Sequence, residues 1–311
     1  MSYTLRLSTV VFCIALLISE GAAQTGAPGE RKGKGTIVLR AARIIDGTGA
    51  APIRDGAILI TDDKISMVGP FAAMSYPSGT RVIDLGDATL MPGFIDAHTH
   101  IIGRVLGDPE GQHAGVRDYT SFGAMLGVGN AERTLLAGFT TIRNVGAANF
   151  DDMALRKAIN EGWINGPKII AAGHGLGITG GHCDSNGYRP GVADGDFKTG
   201  IADGPDQIRA AVRYQVKYGA DVIKTCATGG VLSEGDAVGA TQYTFEELKA
   251  MVDEAHKLER KVAAHAHGTE GIKIATRAGV ASIEHGSFLD AEGAKLLADR
   301  GTYLDPTLMA V

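Results

Sequence analysis

The sequence predicts an α/β protein: a (β/α)8 TIM-type barrel, incomplete with about seven strands, behind a small N-terminal β-sandwich module. Three observations predict it. From Met91 onward, short apolar runs alternate with runs at helical spacing, which implies a parallel sheet with crossover helices. Before Met91 the runs are short and punctuated by Asp46-Gly47, Asp55-Gly56 and Asp62-Asp63, which implies hairpins. The strands of the second part end in histidines or a lysine, and barrel enzymes keep their chemistry at that end. No G-x-G-x-x-G follows a first strand, which argues against a dinucleotide site.

The elements follow in order. Arg6, the apolar run Leu7–Ile18 and Gly21-Ala22-Ala23 form a targeting segment over residues 1–23, too short in its apolar part to span a bilayer. It predicts a secreted or periplasmic protein with no stable membrane anchor after cleavage. Residues 24–34 are polar and read as a flexible N-terminus. Residues 35–90 form the β module, with strands at Thr36–Leu39, Arg43–Ile45, Gly56–Thr61, Lys64–Val68 and Arg81–Leu85. Residues 91–311 form the barrel. Its expected strands are Phe94–Ala97, Thr140–Asn144, Lys168–Ala172, Asp221–Thr225, Lys261–His265, Ala281–Glu284 and one starting at Thr302. Between them run helices over 117–137, 151–161, 205–218, from Thr244, 269–278 and 291–300. Thr244 with Glu247 three residues on is a capping box, and Phe245, Leu248, Val252, Ala255 and Leu258 repeat at helical spacing.

Composition narrows the function. Of 311 residues, 44% are hydrophobic and 21% charged, an ordinary globular balance, and a net charge of -5 gives no nucleic-acid footprint. There are 44 glycines without a Gly-X-Y period, so they signal tight loops. Cys13 lies in the targeting segment. Cys183 and Cys226 make no disulfide scaffold, and free thiols are the default expectation.

The chemistry gathers at strand ends. His98 and His100 share one strand face by alternation. Lys224 comes late in an apolar strand, His265 ends the next and His285 the one after. Four imidazoles suit zinc-type ions. A buried lysine is costly unless paired or neutralised, and reaction with carbon dioxide makes it an anion able to bridge two cations. Such a two-metal site lowers the pKa of a bridging water and polarises a carbonyl or phosphoryl oxygen. His182, in Gly181-His182-Cys183, and His267 are candidate substrate contacts, and Tyr243, before a helix cap, is a candidate for the pocket wall. Arg143 reads as a structural ion-pair partner.

Residues 36–311 resemble the amidohydrolase superfamily. Ile44-Ile45-Asp46-Gly47, the Met91–His100 run, Lys224 and the two later histidines match its binuclear, lysine-carbamate type. Residues Ile223–Gly230 and His265-Ala266-His267-Gly268 are most similar to its imidazolonepropionase-like and Xaa-Pro dipeptidase-like branch, which includes ochratoxin-type amidases. The resemblance implies His98 and His100 on one metal, a carbamylated Lys224 as bridge, and His265 and His285 on a second metal, with zinc expected. It implies hydrolysis of small amides, Xaa-Pro-like dipeptides or N-acyl amino acids. Cyclic amides, phosphotriesters and a metal-binding barrel without turnover remain alternatives, and a homo-oligomer is left open. The family also has an aspartate after strand eight that binds metal and acts as general base. That residue is expected beyond Val311, on the reading that this chain is C-terminally truncated. Asp305 belongs to strand seven and is not assigned that role.

Overall fold

The computed structural model describes residues 33–105 and 108–308. The expected targeting segment lies outside the described residues. Among them, no helix is long and apolar enough to cross a membrane.

The N-terminal module is one five-stranded sheet built from β1 (Thr36–Ile44), β2 (Ile53–Thr61), β3 (Lys64–Pro70), β4 (Arg81–Asp84) and β5 (Thr89–Leu90). Its order is β3-β2-β1-β4, with β5 pairing β1. The two runs expected at 36–39 and 43–45 are one strand, because Arg40 and Ala41 between them pair with Ala57 and Gly56. Among the described residues no second sheet completes a sandwich. Phe71, Met74 and Tyr76, from the β3–β4 connection, cover the apolar face of Val38, Ala57 and Leu59 instead.

Seven parallel strands follow: β6 (Phe94–Thr99), β7 (Phe139–Asn144), β8 (Lys168–Ala171), β9 (Val222–Cys226), β10 (Lys261–Ala266), β11 (Ser282–His285) and β12 (Tyr303–Asp305). They pair as β6-β7-β8 and β9-β10-β11-β12. A bridge from Leu176 to Thr225 joins the two groups. There the Leu176 N–H donates to the Lys224 carbonyl at 2.8 Å, and the Cys226 N–H donates to the Leu176 carbonyl at 2.9 Å. The connecting helices are α1 (Ala114–Arg117), α2 (Phe122–Leu136), α3 (Asp151–Asn160), α4 (Gly204–Lys217), α5 (Phe245–Lys257), α6 (Thr269–Ala278) and α7 (Ala291–Arg300). The helix expected over 117–137 is broken at Asp118, which is extended and ion-paired to Arg104 at 3.1 Å. The capping box at Thr244 forms as expected.

Strand alternation decides what faces where. Ile223, Val262, Ala264 and Ile283 point outward and pack with Leu248, Met251 and Ile272 of the helices in the main core. Burying each of the larger aliphatic side chains among them contributes roughly 1.5–3 kcal/mol. The residues between them face the lumen. Cross-strand register stacks these in rows: Lys224, Ala263 and Ser282 in one, and Cys226, His265, Glu284 and Asp305 in the next. Ala172, Val222 and Ala263 pack with Ile170 into an apolar floor that reaches the Lys224 row at Ala263. The sheet thus delivers a polar layer over an apolar base.

Candidate metal centre

His285 is the hub of the polar layer. Its ring centroid lies 4.9 Å from that of His98, 4.7 Å from His265 and 4.8 Å from His267. His98 in turn lies 5.4 Å from His100, and His265 lies 4.1 Å from His182. One nitrogen from each of His265, His267 and His285 falls within 4.8 Å of the other two. The structure therefore brings together the histidines read from the sequence, and places Lys224, 4% exposed, in the row beneath.

The backbone does more than alternate. Asp96 and Thr99 pair with Ile142 and Asn144, so β6 carries an extra residue at Ala97–His98, a bulge that re-aims the side chains. His100 lies just past the strand. The shared face of His98 and His100 thus comes from a bulge and a loop turn as well as from alternation. His285 has φ 72°, a left-handed conformation costly for a non-glycine residue and typical of functional sites. That turn swings His285 into the lumen beside Glu284, its neighbour in sequence.

Glu284 is the residue that reading the sequence missed. Its side chain is fully buried, 2.7 Å from Arg143 and 2.8 Å from His98 Nδ1. Burial pushes its carboxyl up, but the His98 hydrogen bond, the Arg143 charge, the Ser282 hydroxyl and nearby Lys224 outweigh it and hold it at about 2. Asp305, ending β12, sits 3.6 Å from the same guanidinium. His98, Glu284 and Asp305 also form a tight donor cluster, yet Arg143 already supplies a cation there.

Burial disfavours the charged form of His100, His182, His265, His267 and His285. Burial drives His265 far below its ordinary range, with His182 and Lys224 adding to it. Burial lowers His285 to about 3. Burial and Lys224 lower His182 to about 4. The surrounding protein desolvates His100 and lowers it to about 3, although the residue keeps an open flank that water screens. Burial lowers Lys224 to about 8 against the opposing pull of Glu284.

These residues fit divalent cations. Neutral imidazoles are the form that binds metal. The buried Nε2 of His267 has no hydrogen-bond partner among the described residues, and a buried polar atom left unpaired is costly. The Lys224 ammonium has no carboxylate within ion-pairing distance among the described residues, and a buried amine is costly without one.

The other candidates fall differently. His182 stacks on His265, its Nδ1 2.5 Å from Ser233 Oγ, and its N–H donates to Gln242 at 3.1 Å. His267 Nδ1 is 2.8 Å from Ser287 Oγ, and its buried Nε2 has no hydrogen-bond partner among the described residues. Tyr243 does not line the mouth. It packs in the main core, 2% exposed, and its hydroxyl donates to the Ala202 carbonyl at 3.1 Å. Its polar end is thereby spent on backbone, which corrects the substrate-contact expectation. Cys183 and Cys226 are joined, with Cα atoms 5.9 Å apart, so the free-thiol default does not hold.

A parallel barrel wall with imidazoles and a buried lysine at its C-terminal strand ends defines a class, that of barrel proteins with a metal-competent centre on the face where such folds carry their chemistry. Comparison with known proteins narrows it. A family model described as the amidohydrolase family matches residues 89–311, and the chain belongs to that family. It is 34% identical over 288 residues to an ochratoxinase from Aspergillus niger, covering 85% of this chain and 57% of that protein. The chain thus spans little more than half the length of that relative. It is 28% identical over 284 residues to an imidazolonepropionase from Cereibacter sphaeroides, covering 85% of this chain and 68% of that one. A crystal structure of a Xaa-Pro dipeptidase with bound methionine in the active site superposes with a TM-score of 0.80 at 37% identity, over 88% of this chain and 67% of that one.

Proposed function

We propose that the protein is a binuclear metal-dependent amidohydrolase cleaving amide or peptide C–N bonds in Xaa-Pro-like dipeptides or N-acyl amino acids. One observation carries the reading: four strand-end imidazoles, from His98, His100, His265 and His285, gather over the buried Lys224. The likeness to a Xaa-Pro dipeptidase and an ochratoxinase supports the substrate class.

His98 and His100 would hold one ion, His265 and His285 a second, with Lys224 shared as a carbamate. Bound divalent ions, zinc in this reading, acidify a water and polarise the scissile carbonyl. The chain's own groups prepare that. With its pKa lowered to about 8, roughly a tenth of Lys224 is free amine at pH 7. That amine adds to carbon dioxide, forming a nitrogen–carbon bond and releasing one proton. His182 and His267 would orient the substrate, the latter through its unpartnered Nε2. Location in an oxidising compartment is part of the proposal, supported by the Cys183–Cys226 pair.

The test counts metal and turnover together. Full-length protein should carry about two divalent ions per chain, the content of a two-metal site. It should hydrolyse members of a panel of Xaa-Pro dipeptides and N-acyl amino acids. Lys224→Ala should lose metal and reduce hydrolysis to background. Unchanged metal content and turnover in that variant would refute the bridge. Full metal with no turnover on any amide would favour a binding protein.

A further inference from the structure

Glu284 has no solvent contact, and a buried carboxylate persists only where partners replace its hydration. Here they do so completely. Oε1 accepts from Arg143 Nη2 at 2.7 Å and from Ser282 Oγ at 2.5 Å. Oε2 accepts from Arg143 Nη2 at 2.9 Å and lies 2.8 Å from His98 Nδ1. An ionised carboxylate only accepts, so the hydrogen in that last bond belongs to His98 Nδ1. In the neutral ring, the form that binds metal, the lone pair is then on Nε2.

We propose that the Arg143–Glu284 pair is a positioning device for His98. It fixes the Nδ1–H tautomer and the ring angle, so that Nε2 is the atom offered to a divalent cation. The inference rests on the metal reading above.

Arg143 grips both sides of His98. Its Nε donates to the Ala97 carbonyl at 2.5 Å, the group freed by the bulge in β6. Its own carbonyl accepts from Thr99 Oγ1 at 3.2 Å. Its Nη1 donates to Ser282 Oγ at 3.0 Å, completing a ring of bonds around the Glu284 carboxylate. Backbone before the histidine and acceptor beyond its ring are therefore held by one planar, permanently charged group. The same guanidinium lies between Glu284 and Asp305, 2.7 Å from one and 3.6 Å from the other, so it competes with a metal ion for these carboxylates. Bonds of this kind from a ligating histidine to a carboxylate set ring orientation and raise ligand basicity.

The test reads His98 directly. In zinc-loaded full-length protein with labelled histidine, long-range proton–nitrogen correlation should show His98 protonated at Nδ1 and bare at Nε2. The reverse tautomer overturns the proposal, and this measurement needs no variant. Glu284→Gln keeps the shape but can turn an amide N–H toward His98. It should weaken metal binding by about 10–100-fold in competition with a chromophoric chelator. It should also shift the visible bands of the cobalt-substituted protein. Unchanged affinity and bands sink the positioning role while leaving the metal reading intact. Wild-type protein that binds no divalent ion sinks the metal reading first, and the positioning role with it. If Glu284→Gln does not fold, the wild-type tautomer decides.

Discussion

A histidine that must stay neutral makes stability depend on pH. Unfolded histidine titrates near 6.5, while burial lowers His285 to about 3 and His182 to about 4, and pushes His265 down as well. Below pH 6.5 the unfolded chain takes up protons that the native metal-free protein refuses. Their contribution is therefore whole above pH 6.5 and falls steadily from there toward about pH 3. The slope is about 1.4 kcal/mol per pH unit for a fully buried group such as His265. Glu284 acts at lower pH. Its carboxyl is held at about 2 by His98, Arg143 and Ser282 in spite of burial, below its ordinary 4.5. Its contribution is full above pH 4.5 and lost as pH falls through 2. Urea unfolding with chelator present should show stability level down to about pH 6.5 and a steep loss from there to pH 5. A flat profile there would mean that the imidazoles are not buried neutral. The metal-competent residues were legible because each closes an apolar run. Glu284 was not, because alternation from a lumenal His285 would turn its neighbour toward the helices. The left-handed backbone at His285 admits both, and nothing in the residue string announces it.

At the scale of elements, turns and caps carry separable effects. The Thr244 hydroxyl accepts from the Glu247 N–H at 3.3 Å, and Glu247 accepts back from Thr244 N–H at 2.9 Å. Thr244→Ala should cost about 1 kcal/mol in chemical denaturation and leave metal affinity alone. A change in metal affinity would show that α5 is coupled to the site. The loop after β9 is the reverse case. A methyl on Gly230 would overlap the His182 ring, so the glycine lets the loop lie against it. Gly230→Ala should displace His182 and raise KM more than it lowers kcat, with stability within about 1 kcal/mol of the parent. An unchanged KM would remove His182 from substrate binding. Element positions were legible from periodicity and punctuation, as α6 and α7 show. The break between α1 and α2 was not, because it depends on Arg104 reaching Asp118 across the chain. The single N-terminal sheet was unreadable for a related reason: which residues cover an apolar face is settled by tertiary contact.

At the scale of the whole molecule, the barrel wall has a seam between β8 and β9, where pairing thins to the bridge at Leu176 and Thr225. The Cys183–Cys226 bond is tied across that seam. Cys226 is two residues beyond Lys224, and Cys183 is next to His182, so one covalent link joins the buried amine's strand to the loop above it. Sequence could not show this, because two cysteines 43 residues apart pair only if the seam brings their backbones together. Closing a loop of that length stabilises a fold by about 2–4 kcal/mol, chiefly by restricting the unfolded chain. Cys183→Ser should therefore lower the free energy of unfolding by about that amount under non-reducing conditions. Dithiothreitol should bring the parent down to the level of the variant and leave the variant unchanged. A parent indifferent to reductant, with both thiols titrating before unfolding, would show that the loop is held by packing alone.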